Sequence, residues 1–474
     1  MSAETSRQPD CEYVVVGSGA GGGTLAARLA EAGRRVILLE AGGDPRSLSG
    51  GDAIDTANRL PDDYDVPVFH ALSSENMAMK WDFFVRHYAN EEQQKRDDKY
   101  VAAKGGVLYP RAGTLGGCTA HNAQIMVYPH NADWDYLAQL TGDPSWGAEK
   151  MRRYFERLEN CHHQPLYRAL SKIGINPTKH GWNGWLQTEA AIPKTALGDK
   201  DLDVWLLESA LKAFVECGHP VEEIKSIFES GADPNDWRRV PNNGVGICYT
   251  PLTTHGHQRM AARERVLEAA KQHPEFLKIE MNALATRVLF DEGNRAIGVE
   301  YFKGDGLYRA SGRPGGGAGE RRELRASREV ILAGGAFNTP QLLMLSGIGP
   351  QDDLRRVGIE PRVNLRGVGQ NLQDRYEVGV VNRMNFEAWE ILRGGEIREG
   401  RSAVSAMGKR TRRRVHDKRR GAGGDQAVGE RAAAAGSFLL RAGRPVPRIL
   451  SGLFGAVSEA PELPDVGDSE GAHE

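Results

Sequence analysis

Cysteine and long apolar runs are scarce in this 474-residue chain, and each shortage excludes a class of protein. The five cysteines are widely spread and form no Cys-x-x-Cys pair, so neither a disulfide scaffold nor a zinc site is indicated, and a reducing compartment fits best. No stretch approaches the ~18 apolar residues that a membrane span requires, and the polar segment 1–11 lacks the pattern of an export signal. We therefore expect a soluble, cytoplasmic protein without a membrane partner.

Net charge is also nearly absent, since 61 basic residues balance 63 acidic ones. This balance gives no reason to expect a nucleic-acid partner. Glycine, by contrast, is abundant at 57 residues, which indicates many tight turns and close approaches of the backbone.

The first forty residues have the pattern of one strand, helix, strand unit. Residues 13–16 form a short β-branched run that ends at a glycine-rich turn, and residues 24–32 follow with helical spacing. A second apolar run, residues 35–39, ends on the carboxylate of Glu40. The pattern predicts a buried parallel strand, a crossover helix and a second parallel strand.

The turn contains the motif Gly17-x-Gly19-x-x-Gly22, and each glycine has a mechanical reason. Gly17 makes the tight turn, Gly19 lets the backbone approach a pyrophosphate, and Gly22 lets helix and strand pack closely. The helix N-terminus offers backbone N–H groups to phosphates, while Glu40 accepts hydrogen bonds from a ribose diol. The unit predicts dinucleotide binding but leaves nicotinamide and flavin dinucleotides open, and a purely structural glycine turn is the alternative.

Two later segments carry a family resemblance. Residues 109–123 read YPRAGTLGGCTAHNA and residues 334–350 read GGAFNTPQLLMLSGIGP. Together they resemble the two signatures of the glucose-methanol-choline (GMC) oxidoreductases, and the segment GVGQNLQD at 367–374 is similar to a third family segment. The resemblance covers roughly residues 12–393 and implies FAD as cofactor and oxidation of a small-molecule alcohol. A nicotinamide-dependent dehydrogenase would require these matches to be coincidence.

The resemblance also implies further cofactor-binding residues. The paired glycines Gly116 and Gly117 suit a backbone that lies against a flat ring, where a Cβ would collide. In the family, the residues that match Cys118, Asn122 and Ala123 line the flavin, and the valine that matches Val288 contacts the adenine through its backbone. Gly334 in the second signature and Asp374 in the third segment complete the predicted cofactor site.

His121 is the residue with the most specific implication. The run from Gly116 to Asn122 resembles the segment of choline oxidases in which the histidine is bonded covalently to the 8-methyl group of the flavin. The resemblance therefore raises a covalent FAD link through His121. The alternative is a buried histidine that only packs and hydrogen-bonds beside the ring.

These observations predict an α/β protein with a doubly wound, Rossmann-like FAD-binding domain and an interleaved, incomplete α+β substrate domain. The FAD-binding domain is predicted from two separate parts, because the strand near residue 330 returns the chain to the dinucleotide fold. The predicted divisions are a polar tail at 1–11, FAD-binding parts at 12–135 and 241–375, a mainly helical cap or substrate region at 136–240, the start of a substrate domain at 376–393, and a tail rich in arginine, glycine and alanine at 394–474.

The sequence assigns no residue to metal binding or to catalysis. The pairs His162–His163 and His255–His257 lack a third ligand at usable spacing, so no metal site is predicted. Alcohol oxidation needs a base within hydrogen-bond reach of the hydroxyl. The only histidines after Asp374 are His416 and His473, neither in the context of the family, so the catalytic residues stay unassigned.

The tail leaves the activity and origin of the chain open. A reading-frame shift in a GC-rich gene, a disordered regulatory arm and a nucleic-acid-binding patch all account for its basic composition, and the abrupt change of character favours the frame shift. The alternative to an active FAD-dependent alcohol oxidoreductase is therefore a truncated or frame-shifted flavin-binding remnant without turnover. The sequence does not specify the alcohol, the electron acceptor or the oligomeric state.

Overall fold

The computed structural model of the protein describes residues 8–45, 62–65, 67, 70–191, 208, 212, 232–240, 248–256 and 258–374. The predicted start of a substrate domain at 376–393 and the tail at 394–474 lie outside these residues, as does part of the predicted cap or substrate region at 136–240.

The strands of the described residues range from two to thirteen residues in length. They are β1 Cys11–Val16, β2 Val36–Leu39, β3 Lys80–Trp81, β4 Phe84–Val85, β5 Tyr100–Val101, β6 Gly106–Leu108, β7 Arg111–Ala112, β8 Glu159–Cys161, β9 Leu186–Ala191, β10 Thr250–Leu252, β11 Thr254–His255, β12 Gln258–Arg259, β13 Leu277–Glu280, β14 Ala283–Phe290, β15 Ala296–Lys303, β16 Glu320–Leu332, β17 Ile348–Gly349 and β18 Val363–Asn364.

Helices connect these strands. The α-helices of the described residues are α1 Ala20–Glu31, α2 Asp62–Asp65, α3 His70–Glu75, α4 Glu91–Arg96, α5 Asn131–Thr141, α6 Ala148–Leu158, α7 Pro165–Ser171, α8 Ala262–Gln272, α9 Gly335–Leu345 and α10 Gln351–Arg356. The 3₁₀ turns that matter below are Gly117–Ala120 and Pro144–Trp146.

The central sheet has the strand order β13-β2-β1-β16-β15-β14. Strands β13, β2, β1 and β16 run parallel, whereas β14, β15 and β16 form an antiparallel meander. β16 serves both halves, since its first residues pair with β15 and its last residues pair with β1. The sheet thus combines strands from the first forty residues with strands after residue 276, and parallel strands at its centre require such long crossovers.

Both faces of β1 are buried, as its continuous apolar run predicts. Val14 and Val16 contribute to one apolar cluster, whereas Val15 contributes to a second cluster on the opposite face. The second cluster holds three alanines of α1 that pack with α8: Ala26, Ala27 and Ala30. Alanine side chains let the helix axis come close to the sheet, so the glycine turn that precedes α1 is held tightly against β1.

The region predicted as a mainly helical cap is of mixed composition. The described part of residues 136–240 contains α6 and α7 and also β8 and β9, which form a small sheet with β10. β8 and β9 pair in parallel, and β9 and β10 pair antiparallel. The short strand Glu159–Cys161 follows the strongly amphipathic helix directly, so helical periodicity conceals it in the sequence.

Across the described residues, every helix is too short or too polar to cross a lipid bilayer.

Candidate functional site

The glycine turn after β1 has the conformation that the motif requires. Gly17 has φ +98°, and a Cβ added there would lie 2.4 Å from the carbonyl oxygen of Ala333. A Cβ on Gly22 would lie 2.0 Å from the carbonyl oxygen of Gly17, so that position lets α1 approach β1. Helix α1 begins directly after Gly19, which caps it without a side-chain bond, so the N–H groups of its first turn are available to a ligand.

The paired glycines of the later segment pack onto this turn. Gly117 has φ +54°, and a Cβ added there would lie 2.7 Å from the Cα of Gly19. The Gly116 N–H donates to the Ser18 hydroxyl at 2.9 Å. Two glycine motifs that are separated by about a hundred residues therefore form one continuous backbone surface.

Glu40 anchors the same turn from the end of β2. Its Oε2 accepts a hydrogen bond from the Ser18 N–H at 3.1 Å and a second one from the Ser18 hydroxyl. Its Oε1 accepts from the Gly42 N–H at 2.9 Å. Burial raises the pKa of Glu40, and the hydrogen bonds from Ser18 and Gly42 oppose that rise.

These groups surround a cavity of about 370 Å³, a size typical of small-molecule sites. The cavity lies over the carboxyl ends of β1, β2 and β16, where doubly wound sheets bind ligands. Its wall contains six of the residues predicted from the sequence: Gly17, Gly19, Glu40, Gly117, Cys118 and Gly334.

The other predicted residues lie outside the cavity wall. Two of them still shape the glycine turn that forms this wall: Gly22 packs against Gly17, and the N–H of Gly116 donates to Ser18. Asn122 is exposed, and its side-chain and backbone oxygens accept hydrogen bonds from Arg259 Nη1 at 2.8 and 2.9 Å. Ala123 is half-buried beside it. Asp374 accepts a short hydrogen bond from the hydroxyl of Tyr109.

Val288 lies three residues beyond the part of β14 that reaches the cavity. Its N–H donates to the Ser346 hydroxyl at 2.9 Å, and its side chain packs in the apolar core. The residues of β14 that line the cavity are Ala283, Leu284 and Ala285.

His121 is buried next to the paired glycines. Its Nε2 has no hydrogen-bond partner among the described residues. Burial lowers the pKa of His121 to about 4, and the positive charges of Arg259 and Arg111 add to the effect. The imidazole is therefore neutral at physiological pH and keeps an unprotonated nitrogen in a dry environment.

An aromatic group that the sequence reasoning missed forms another part of the wall. Phe83 and Phe337 stack with their ring centroids 4.9 Å apart, and Trp81 meets Tyr308 edge-on at 5.0 Å. The Arg111 guanidinium lies 5.7 Å from the Phe337 ring centre and also lines the cavity. Phe337 and Arg111 lie within the two signature segments, but nothing in the sequence indicates that Trp81 and Phe83 join them.

A family model described as GMC oxidoreductase matches residues 12–377. The chain belongs to the GMC oxidoreductase family. The predicted membership and the predicted α/β fold class are thereby confirmed.

Two curated relatives illustrate the match. Human mitochondrial choline dehydrogenase is 33% identical over 379 residues, which are 80% of this chain and 52% of that protein. The oxygen-dependent choline dehydrogenase of Pseudomonas syringae pv. tomato is 30% identical over 372 residues, which are 78% of this chain and 53% of that protein. The chain therefore spans about half the length of the curated relatives it matches.

Solved structures give the same fold. A formate oxidase crystal structure has a TM-score of 0.53 and 25% identity, and the match covers 76% of this chain and 52% of that one. An FAD-dependent oxidoreductase from Chaetomium thermophilum has a TM-score of 0.58 at 23% identity, with 89% and 60% covered, and shows the fold alone. These matches show the family and the fold of the chain and specify no substrate for it.

The residues of this GMC chain fit the cofactor of its relatives. A bare backbone surface at Gly17, Gly19 and Gly117 is what a pyrophosphate and a flat ring require, because a Cβ at any of them would enter the space or the neighbouring backbone. The buried carboxylate of Glu40 lies at the end of β2, where an adenosine ribose is bound in dinucleotide folds.

Proposed function

We propose that this chain binds FAD in the cavity between its two glycine motifs and acts as a GMC-type alcohol oxidoreductase. The observation that carries the proposal is the contact of Gly117 with Gly19, which joins the motif for the pyrophosphate to the motif for the flavin. When bound, FAD supplies the acceptor for the hydride that an alcohol carbon loses.

Each part of the cavity has a role in this proposal. The first-turn N–H groups of α1 hold the pyrophosphate, and Glu40 holds the ribose through the lone pairs that Ser18 and Gly42 leave free. Ala285, which lines the cavity, takes the adenine contact that the family resemblance attributed to Val288. Gly117 and Cys118 lie along the flavin ring.

His121 is the candidate for a covalent bond to FAD. Its buried Nε2 lacks a hydrogen-bond partner among the described residues, and its low pKa keeps the imidazole neutral, so that one ring nitrogen retains a nucleophilic lone pair. Cys118, three residues earlier in the 3₁₀ turn that His121 directly follows, lines the cavity. Both observations support the covalent alternative over simple packing.

FAD binding is tested by purifying the full chain and measuring its absorption spectrum and its content of FAD. We expect a yellow protein that holds about one FAD per chain, as a single cavity of this kind predicts. Colourless protein that takes up no FAD on reconstitution would reject the proposal.

Turnover is a separate question, because no catalytic base is assigned and the chain spans about half of its relatives. Choline is the first alcohol to assay, since the relatives are named for it, followed by a panel of primary and secondary alcohols with dioxygen and an artificial acceptor. Reduction of bound FAD by one of these alcohols supports the enzyme. FAD binding without reduction by any of them supports the second candidate, a flavin-binding chain without turnover.

A further inference from the structure

A compact group of metal-ligating side chains lies apart from the FAD cavity. Cys161 ends β8, His163 follows two residues later, and His180 precedes β9. Their ligand atoms all lie within 4.8 Å of one another. None of the three lines the cavity described above.

Asp233 supplies a fourth group from a distant part of the chain. Its Oδ2 lies 3.2 Å from His163 Nε2 and 3.1 Å from His180 Nε2. The same oxygen accepts from the Gln164 amide at 2.7 Å and the Tyr249 hydroxyl at 2.5 Å. One carboxylate oxygen cannot satisfy four donors with its two lone pairs. A cation between the two histidine nitrogens reduces this crowding from four partners to three, because one metal bond replaces the two contacts with the histidines.

Three separations among these atoms are close to those around a tetrahedral zinc ion. Bonds of about 2.0 Å to nitrogen or oxygen and about 2.3 Å to sulfur place neighbouring ligand atoms about 3.3–3.6 Å apart. Cys161 Sγ lies 3.5 Å from His163 Nε2. The two distances from Asp233 to the histidines are only slightly shorter, so the ligands need to move by a few tenths of an ångström.

The other ring nitrogen of His180, Nδ1, is positioned by a buried carboxylate. Its Nδ1 lies 2.8 Å from Glu159 Oε2. Glu159 is itself fixed by the Gly181 N–H at 3.0 Å and the Thr188 hydroxyl at 2.8 Å. Loss of the Nε2 proton to a metal ion would leave Nδ1–H donating to Glu159, which is the carboxylate–histidine–metal arrangement of many zinc sites.

The charges also suit a divalent cation. The side chains of Glu159, His180 and Asp233 are fully buried, and that of His163 is 4% exposed. Two carboxylates in a dry interior need positive partners, and a thiolate at Cys161 adds a third negative charge. Zinc together with the buried Arg152, which interacts electrostatically with Glu159 and Asp233, balances these three charges.

We propose that Cys161, His163, His180 and Asp233 form a closed zinc site that fastens the segment around residue 233 to the end of β8. Four protein ligands without solvent access are typical of structural rather than catalytic zinc. The sequence did not indicate it because the histidine pairs were judged by local spacing, whereas Cys161, His180 and Asp233 meet His163 only in the folded chain.

The full chain tests this proposal after expression in zinc-supplemented medium and purification without chelators, with zinc measured by mass spectrometry. We expect about one zinc ion per chain, as one closed set of ligands requires. The matched pair of variants is His163→Gln and His162→Gln, because His162 is exposed and contacts Gln187 instead. Zinc content should fall severalfold in His163→Gln and stay at the wild-type value in His162→Gln.

Cobalt substitution gives a readout that does not depend on the folding of a variant. Wild-type protein reconstituted with Co²⁺ should show the intense visible bands of a tetrahedral site and a thiolate-to-cobalt charge-transfer band. Cys161→Ser should lose the charge-transfer band, whereas Cys248→Ser, at an exposed cysteine, should keep it. Wild-type protein without zinc and without these bands, or equal zinc content in the two histidine variants, would overturn the proposal.

Discussion

Gly117 lies against Gly19 so closely that a Cβ on Gly117 would come within 2.7 Å of the Gly19 Cα. Two short motifs of the sequence thus share one surface, and neither can move without the other. FAD binding should therefore depend on the size of the residue at either position.

Gly117→Ala should lose most of its bound FAD, because the new methyl group displaces the turn that holds the pyrophosphate. Gly142→Ala is the matched control: Gly142 also has a positive φ, +68°, but among the described residues only its own chain neighbours lie within 4 Å of the point where its Cβ would be added. Both variants should lose about 1 kcal/mol of stability from backbone strain. The measurement is the ratio of flavin to protein absorbance, and equal ratios in the two variants would contradict the expectation.

Glu40→Gln should weaken FAD binding about tenfold or more, which corresponds to about 1.4 kcal/mol. The amide turns one acceptor oxygen into a donor that faces the N–H group of either Ser18 or Gly42, and it removes the charge that strengthens hydrogen bonding to the ribose. Titration of FAD-free protein with FAD, followed by quenching of flavin fluorescence, gives the affinity. Glu92→Gln, at an exposed glutamate of α4, should bind like wild type.

His121→Ala should release its FAD into the supernatant when the protein is precipitated with acid, whereas the wild-type flavin should stay with the pellet. The physical reason is the covalent bond proposed for the Nε2 of His121, which has no hydrogen-bond partner within the described part of the chain. Full release of FAD from the wild type would reject the covalent bond and leave the cofactor proposal intact.

The folding stability of the chain should fall in acid because of His121. Burial lowers the pKa of His121 to about 4, below its unfolded value near 6.5, so the unfolded chain binds the proton more readily. The stabilising contribution is complete above pH 6.5 and is lost as pH falls through about 4, with a total of about 3 kcal/mol. Urea unfolding of FAD-free wild type and His121→Gln from pH 7.5 to 4 measures it. Parallel curves for the two proteins would contradict the expectation.

Arg152→Met should cost about 3 kcal/mol of folding free energy. The fully buried guanidinium donates to the carbonyl oxygens of Thr178 at 2.8 Å, Lys179 at 3.0 Å and Asn235 at 2.6 Å, and its removal deprives all three carbonyls of this donor, two of them on the fully buried Thr178 and Asn235. The neighbouring Arg153 is exposed, so Arg153→Met should stay within about 0.5 kcal/mol of wild type. Urea unfolding midpoints that agree between the variants would disprove this role for Arg152.

Local sequence was sufficient for the parts of the site that lie close together in the chain. The run from β1 through α1 to Glu40 was predicted because its turn, helix spacing and strands are decided by neighbouring residues. The hairpin of β14 and β15 also has a local signal, the Asp-Glu-Gly-Asn turn at 291–294. No local signal shows which residues of β14 reach the cavity: the strand places Ala285 in its wall, and the contact that the resemblance implied for Val288 stays a prediction.

The sequence by itself determined the class of this protein: the glycine motifs, the strand pattern and Glu40 specify a dinucleotide fold, and the two signatures specify the GMC family. Only the tertiary structure decided that Gly117 meets Gly19, that Trp81 joins Phe337 at the cavity, and that Asp233 meets His163 and His180. The physical reason is that such contacts join residues far apart in the chain. Backbone propensity and periodicity act over a few residues, whereas these distances are decided by how helices and sheets pack.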